Sequence, residues 1–101
     1  MKKILLCCAA GMSTSILVQR MQAEVIKRAL DIEIKAAPIV ELEHLITDVD
    51  VVLLGPQVKY QLSHFSAIAK PLGKPIDVID MMDYGTLRGD KVLDKALSLL
   101  E

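Results

Sequence analysis

At 101 residues the chain fits one small domain, residues 1–101, and has no room for two separate cores. Apolar residues make up 52% but aromatic ones only 3%, so aliphatic side chains must supply most of the burial. A formal net charge of −1 offers no basic field for nucleic acid, and no apolar run approaches the ~20 residues that span a bilayer.

The chain opens with two lysines and a short apolar run. The run is too short for a secretory signal, and Gly11 through Ser15 break it. Residues 2–8 are instead continuously apolar after the lysines, which predicts a strand buried on both faces. Residues 13–30 have helical spacing. Ile16, Leu17, Met21, Val25, Ile26 and Ala29 are expected on the inner face, and Gln19, Arg20, Gln22 and Lys27 mostly on the other. Residues 32–36 alternate, as an edge strand does. A short helix is expected over 40–46, after Pro38. Residues 49–54 predict a second buried strand, stopped by Gly55-Pro56. A helix over 58–70 would end at Pro71 and Gly73. Residues 75–79 predict the fourth strand, and 90–100 a closing helix.

Strands alternating with helices imply an α/β fold, a four-stranded parallel sheet with helices on both faces. The order 2-1-3-4 places the two most apolar strands at the centre. Its switch point lies between strands 1 and 3, and ligands bind beyond the carboxyl ends of strands at such points. Strand 1 ends at Cys8, and strand 3 at Gly55-Pro56-Gln57.

Cys7 and Cys8 are adjacent and are the chain's two cysteines, so no disulfide framework exists and a reduced, cytoplasmic protein is expected. Cys7 should point from the opposite face of the strand into the core. Cys8 begins the segment Cys8-Ala9-Ala10-Gly11-Met12-Ser13-Thr14-Ser15, which leaves a strand and enters a helix. Small residues let the backbone curl and turn its N–H groups inward, Gly11 permits dihedrals other residues resist, and the hydroxyls can cap the helix. Such a ring is an anion site. A thiol placed there is favoured as the thiolate, and the same groups cradle a phosphoryl group once sulfur has accepted one. Cys8 is therefore the candidate nucleophile, with Ala9, Ala10, Gly11, Met12, Ser13, Thr14 and Ser15 as the candidate phosphate-binding loop.

Low-molecular-weight tyrosine phosphatases place C-x5-R-[ST] in a similar loop. Here Ser15 matches the last hydroxyl, but Thr14 stands where the arginine belongs. The guanidinium that grips the transferring group bidentately is missing. No Asp-Pro pair supplies the leaving-group acid, and the late carboxylates are Asp80 and Asp83. The loop suits holding a phosphocysteine better than hydrolysing one.

Three separated motifs, Cys8 to Ser15, Val51-Val52-Leu53-Leu54-Gly55-Pro56-Gln57, and Val78-Ile79-Asp80 with Tyr84-Gly85, resemble enzyme IIB of the bacterial phosphotransferase system. The branch is the lactose/cellobiose (chitobiose) type, and the resemblance covers nearly the whole chain. It implies the four-stranded parallel fold shared with the low-molecular-weight tyrosine phosphatases. It also implies a phosphotransferase without a cofactor. Cys8 would accept phosphate from a phosphohistidine of enzyme IIA and pass it to a sugar bound by the membrane component, enzyme IIC. The chain would work in the cytoplasm and transiently at the inner face of the membrane. The alternatives are a cysteine-dependent phosphatase or arsenate reductase, which needs arginine at position 14 or another cation reaching in, and a non-catalytic anion-binding regulatory domain.

Gln57, Tyr84 and Asp80 follow strands 3 and 4 and are candidates for the border of the site. Met12, Val58 and Tyr60 are candidates for an apolar docking collar for successive partners. His44 and His64 lack metal-ligand spacing, so both are expected on helix surfaces, and no metal site is expected.

Overall fold

The computed structural model describes residues 1–9 and 12–101, and at residues 12 and 13 the backbone only. The first strand, β1 (Lys2–Cys8), runs through the middle of the molecule. Ile4 and Leu6 meet one helical layer, while Leu5 and Cys7 meet the other. That double burial is why its sequence is unbroken by polar residues after Lys3. β2 (Ile32–Pro38) pairs with it on one side and β3 (Val51–Leu54) on the other, both parallel. β4 (Ile76–Val78) completes the sheet beyond β3, giving the order β2-β1-β3-β4 read from the sequence. β3 opens two residues later than expected, and β4 is shorter.

One face of the sheet is covered by α1 (Met12–Lys27) and the closing helix, the other by two shorter helices, α2 (Leu42–Leu45) and α3 (Leu62–Ala69). Leu17, Val18, Met21 and Val25 of α1 pack on Ile4, Leu6 and Leu53. The expected inner face is therefore corrected. Ile16 is 48% exposed and Ile26 80%, whereas Val18 is buried. Leu17, Met21 and Val25 recur every four residues, and at 3.6 residues per turn Ile16 and Ile26 fall to either side of that stripe.

Helix α1 also ends earlier than expected, at Lys27, because the chain closes on itself there. The Ala29 N–H donates to Ile26 O at 3.1 Å and the Leu30 N–H to Val25 O at 3.0 Å, while Ala29 sits at φ 54°. This is the left-handed helix stop usually made by glycine. A Cβ in that region is strained by about 1 kcal/mol, partly offset by glycine's greater freedom when unfolded. Ala29→Gly is expected to stabilise the protein by about 0.5 kcal/mol, seen as a small rise in the midpoint of denaturant unfolding at constant slope.

The helix expected over 58–70 is two pieces. A 3-10 segment at Pro56–Gln61, interrupted at Val58 (φ −114°, ψ 20°), precedes α3. Similarly, α2 is one short turn between 3-10 turns at Ile39–Glu41 and Ile46–Asp48. A helix absent from the sequence reading, α4 (Met81–Gly85), follows β4. Asp80 caps it, its Oδ2 accepting from the Met82 N–H at 3.0 Å and the Asp83 N–H at 3.1 Å. The last helix, α5 (Gly89–Leu100), returns to pack on α1.

Candidate active site

Cys8 is the last residue of β1, level with Pro38 of β2. β3 stops beside it, and the Gly55 N–H donates to Cys7 O at 2.7 Å. A Cβ built on Gly55 would lie 3.3 Å from Cys8 Cβ and 2.5 Å from Gln57 Oε1. Glycine is thus what lets the end of β3 close on the cysteine. The sequence reading took Gly55 only as a strand stop. The signal for its second role was its place at the switch point.

Thr14, in the first turn of α1, is fully buried, and its Oγ1 lies 3.3 Å from Cys8 Sγ. When sulfur is anionic the hydroxyl must be the donor of that bond. The amino end of α1 adds the positive pole of a 16-residue helix on the same side. Cys8 is itself only 1% exposed. Ala9 and Ser15 of the expected loop are exposed. Ala10 and Gly11, and the side chains of Met12 and Ser13, lie outside the described residues.

Cys7 lies in the opposite core layer with Leu42, Val52 and Leu54. Burial pushes its thiol up to about 12, with Cys8 and then Glu41 adding to the effect. It therefore stays a neutral packing residue at any physiological pH. Cys7→Ala is expected to cost about 1 kcal/mol of stability and to leave phosphate acceptance unchanged, as intact mass after charging would read.

The site border divides. Gln57 Nε2 donates to the Tyr84 hydroxyl at 2.9 Å, which joins the end of β3 to α4 beside Gly55. Asp80 acts one step away, as the cap that starts α4 and so places Tyr84. The expected docking collar is corrected at Val58, which is 1% exposed and packed in the α2–α3 layer, closed to any partner. Its backbone kink turns the side chain inward. Tyr60 is 76% exposed, and Met12's side chain lies outside the described residues.

His64 stands on the surface, its Nε2 3.5 Å from Glu43 Oε1, and packs edge-on against Phe65 with ring centres 4.8 Å apart. His44 is exposed on α2. Among the described residues no group of three His, Cys, Asp or Glu side chains is placed to hold a metal, and no helix is long and apolar enough to cross a membrane.

Residues 3–95 match the sequence family described as the lactose/cellobiose-specific IIB subunit of the PTS system. The chain is 43% identical to the galactose-specific EIIB component of Lactococcus lactis subsp. cremoris (strain MG1363). It is also 43% identical to the cellobiose-specific EIIB component of L. lactis subsp. lactis (strain IL1403). Each alignment covers 98% of this chain and 96% of the relative. The lactose-specific IIB domain of Streptococcus pneumoniae is similar with a TM-score of 0.90 at 20% identity, over 99% of this chain and 98% of that one. A YwlE mutant from Bacillus subtilis is similar with a TM-score of 0.57 at 13% identity, over 99% and 94%. At these identities both likenesses concern the fold alone.

Proposed function

We propose that this chain, which belongs to the lactose/cellobiose-specific IIB family of the phosphotransferase system, carries its phosphoryl group on Cys8. Components of this family take phosphate in sugar uptake. In our reading the donor is a phosphohistidine of enzyme IIA, and the acceptor is a sugar held by the membrane enzyme IIC. The protein then works in the cytoplasm and meets the membrane only during the second transfer.

Two in-line steps at one phosphorus suffice. First, the Cys8 thiolate attacks phosphorus. The S–P bond forms as the N–P bond breaks, and the imidazole nitrogen keeps the electron pair. In the second step a sugar hydroxyl oxygen attacks the same phosphorus. Its proton leaves to a base, and the S–P pair returns to sulfur. The chain's own part is to hold the sulfur, its hydroxyl partner and the positive helix end in fixed geometry while charge moves.

The observation that carries this reading is Cys8 Sγ at the switch point, beside the buried Thr14 hydroxyl at the start of α1. The same observation weighs against a phosphatase. Position 14 holds that buried threonine in place of a guanidinium, so the grip that hydrolysis needs is absent there. The two relatives at equal identity differ in named sugar, galactose and cellobiose. Overall similarity therefore does not select the sugar, as expected if its recognition lies in enzyme IIC.

A chase tests the proposal. Protein charged with labelled phosphate is mixed with membranes holding enzyme IIC, with and without sugar. A carrier keeps its label until sugar is added, and the label then appears as sugar phosphate. Release as inorganic phosphate at the same rate without sugar would mean that the protein is a hydrolase.

A further inference from the structure

Among the described residues Thr14 is the polar one with no exposed surface, and its Oγ1 lies 3.3 Å from Cys8 Sγ. A hydroxyl held out of water needs partners, and one of them here is the atom that forms and breaks the bond to phosphorus. Thr14 stands in the first turn of α1, so the positive end of that helix lies on the same side of the sulfur. A phosphoryl group on Cys8 has to face the proteins that give and take it, and so points outward. A side chain with no exposed surface lies on the inner side of the sulfur, away from the phosphoryl oxygens.

Resting on the reading of Cys8 as the carrier, we infer that Thr14 is a catalytic residue whose hydroxyl serves the sulfur and not the phosphoryl group. In the charged protein the sulfur is bonded to phosphorus and carries little charge, so it is a weak acceptor. In the transfer to sugar, the sugar oxygen bonds to phosphorus, its proton goes to a base of enzyme IIC, and the S–P pair returns to sulfur. The transition state is loose, so negative charge gathers on sulfur before the new bond is complete. An anionic sulfur has no proton to give, so the bond then runs from the Thr14 hydroxyl to sulfur. Hydrogen bonds to a charged acceptor are roughly twice as strong as neutral ones. Thr14 keeps its own proton throughout. The contact is therefore stronger in the transition state than in the charged ground state, which is the condition for accelerating the step. This role differs from the one expected of Thr14 as a member of the phosphate-binding loop. A phosphate-binding residue stabilises the charged protein itself, whereas a partner of the sulfur stabilises the passage out of it.

The test separates the rate of discharge from the charging equilibrium. Charged protein is mixed with a saturating excess of membranes holding enzyme IIC and sugar, and transfer of label is followed over a single turnover. The charged fraction is measured apart from this, by intact mass against a fixed ratio of phosphorylated to free enzyme IIA. Thr14→Val keeps the shape and removes the hydroxyl. It is expected to slow discharge about tenfold, as loss of one hydrogen bond to a charged atom does. The sugar concentration for half-maximal rate should stay the same, and the charged fraction should not fall. Thr14→Ser should stay near the wild-type rate, with Thr14→Ala slower than Thr14→Ser by the same factor. The serine and alanine pair decides the matter even if valine at this buried position prevents folding. Equal rates of Thr14→Ser and Thr14→Ala would overturn the catalytic role. So would a charged fraction that falls with loss of the hydroxyl, because Thr14 would then be holding phosphate. Either result leaves the carrier intact. No phosphate on the wild-type protein from a competent donor would overturn the carrier reading and the role of Thr14 together.

Discussion

Cys8→Ser is expected to leave a folded protein that passes phosphate to sugar at least ~1000-fold more slowly, a barrier increase of about 4 kcal/mol. The substitution changes one atom of a buried side chain at the end of β1, where Sγ lies 3.3 Å from Thr14 Oγ1, and oxygen for sulfur is a small change of volume. Stability should therefore shift little. Reactivity should collapse, because a serine hydroxyl remains protonated at neutral pH, where the thiol is far more readily ionised and far more nucleophilic. Thr14 Oγ1, 3.3 Å away, is itself a hydroxyl and no stronger a base than serine. Rates of sugar phosphorylation from phosphoenolpyruvate, with all other components supplied, would measure the loss. Retention of the full rate would point to a non-catalytic anion-binding domain.

Among the described glycines, Gly89→Ala should give the largest loss of stability. The first residue of α5 lies directly on the backbone of α1. A Cβ at position 89 would be 2.7 Å from the Arg20 carbonyl carbon and Cβ, and 2.8 Å from the Met21 nitrogen. Backbone atoms inside a helix cannot swing aside as a long side chain can. Instead α5 has to lift away, which loosens Val92, Leu93 and Ala96 from Leu17 and Met21. Overpacking of this kind costs about 3 kcal/mol. In a domain of this size that lowers the thermal midpoint by roughly 15 °C. An unchanged midpoint would mean that the two helices do not approach as closely as described. The start of α5 is otherwise held by charge. Arg88 reaches both carboxylate oxygens of Asp90, at 3.1 and 3.0 Å, and its guanidinium holds that carboxyl at about 2.

The parts of the fold legible in the sequence are those governed by burial on two faces. β1 and β3 are runs of aliphatic residues because helices cover both of their sides, and nothing else in the chain has that pattern. Their central positions set the strand order, and the order places Cys8 at the switch point. Features governed by single contacts were less legible. The stop of α1 at Ala29 carries no glycine or proline, so composition continues the helix where the backbone ends it. α4 is five residues long, too short for a periodic signal, yet Asp80 followed three residues later by Asp83 is a recognisable helix start. Val58 was expected in the apolar docking collar with Met12 and Tyr60. Its inward direction depends on a local φ/ψ value that the sequence does not display.

The site shows the same division. Cys8 and Thr14 were both in the expected loop, six residues apart, and the strand-to-helix turn brings them to 3.3 Å. Gln57 and Tyr84 were separate candidates 27 residues apart. Their bond depends on α4, which the sequence reading did not contain.

The most direct test of the central claim is intact-protein mass after incubation with phosphoenolpyruvate, the general phosphotransfer proteins and enzyme IIA. Wild type and Cys8→Ser are run side by side, with the modified residue located by peptide mapping. The account predicts one added phosphate on the wild-type protein, located on Cys8, and none on the variant. Phosphate on another residue, or equal labelling of the variant, would contradict it.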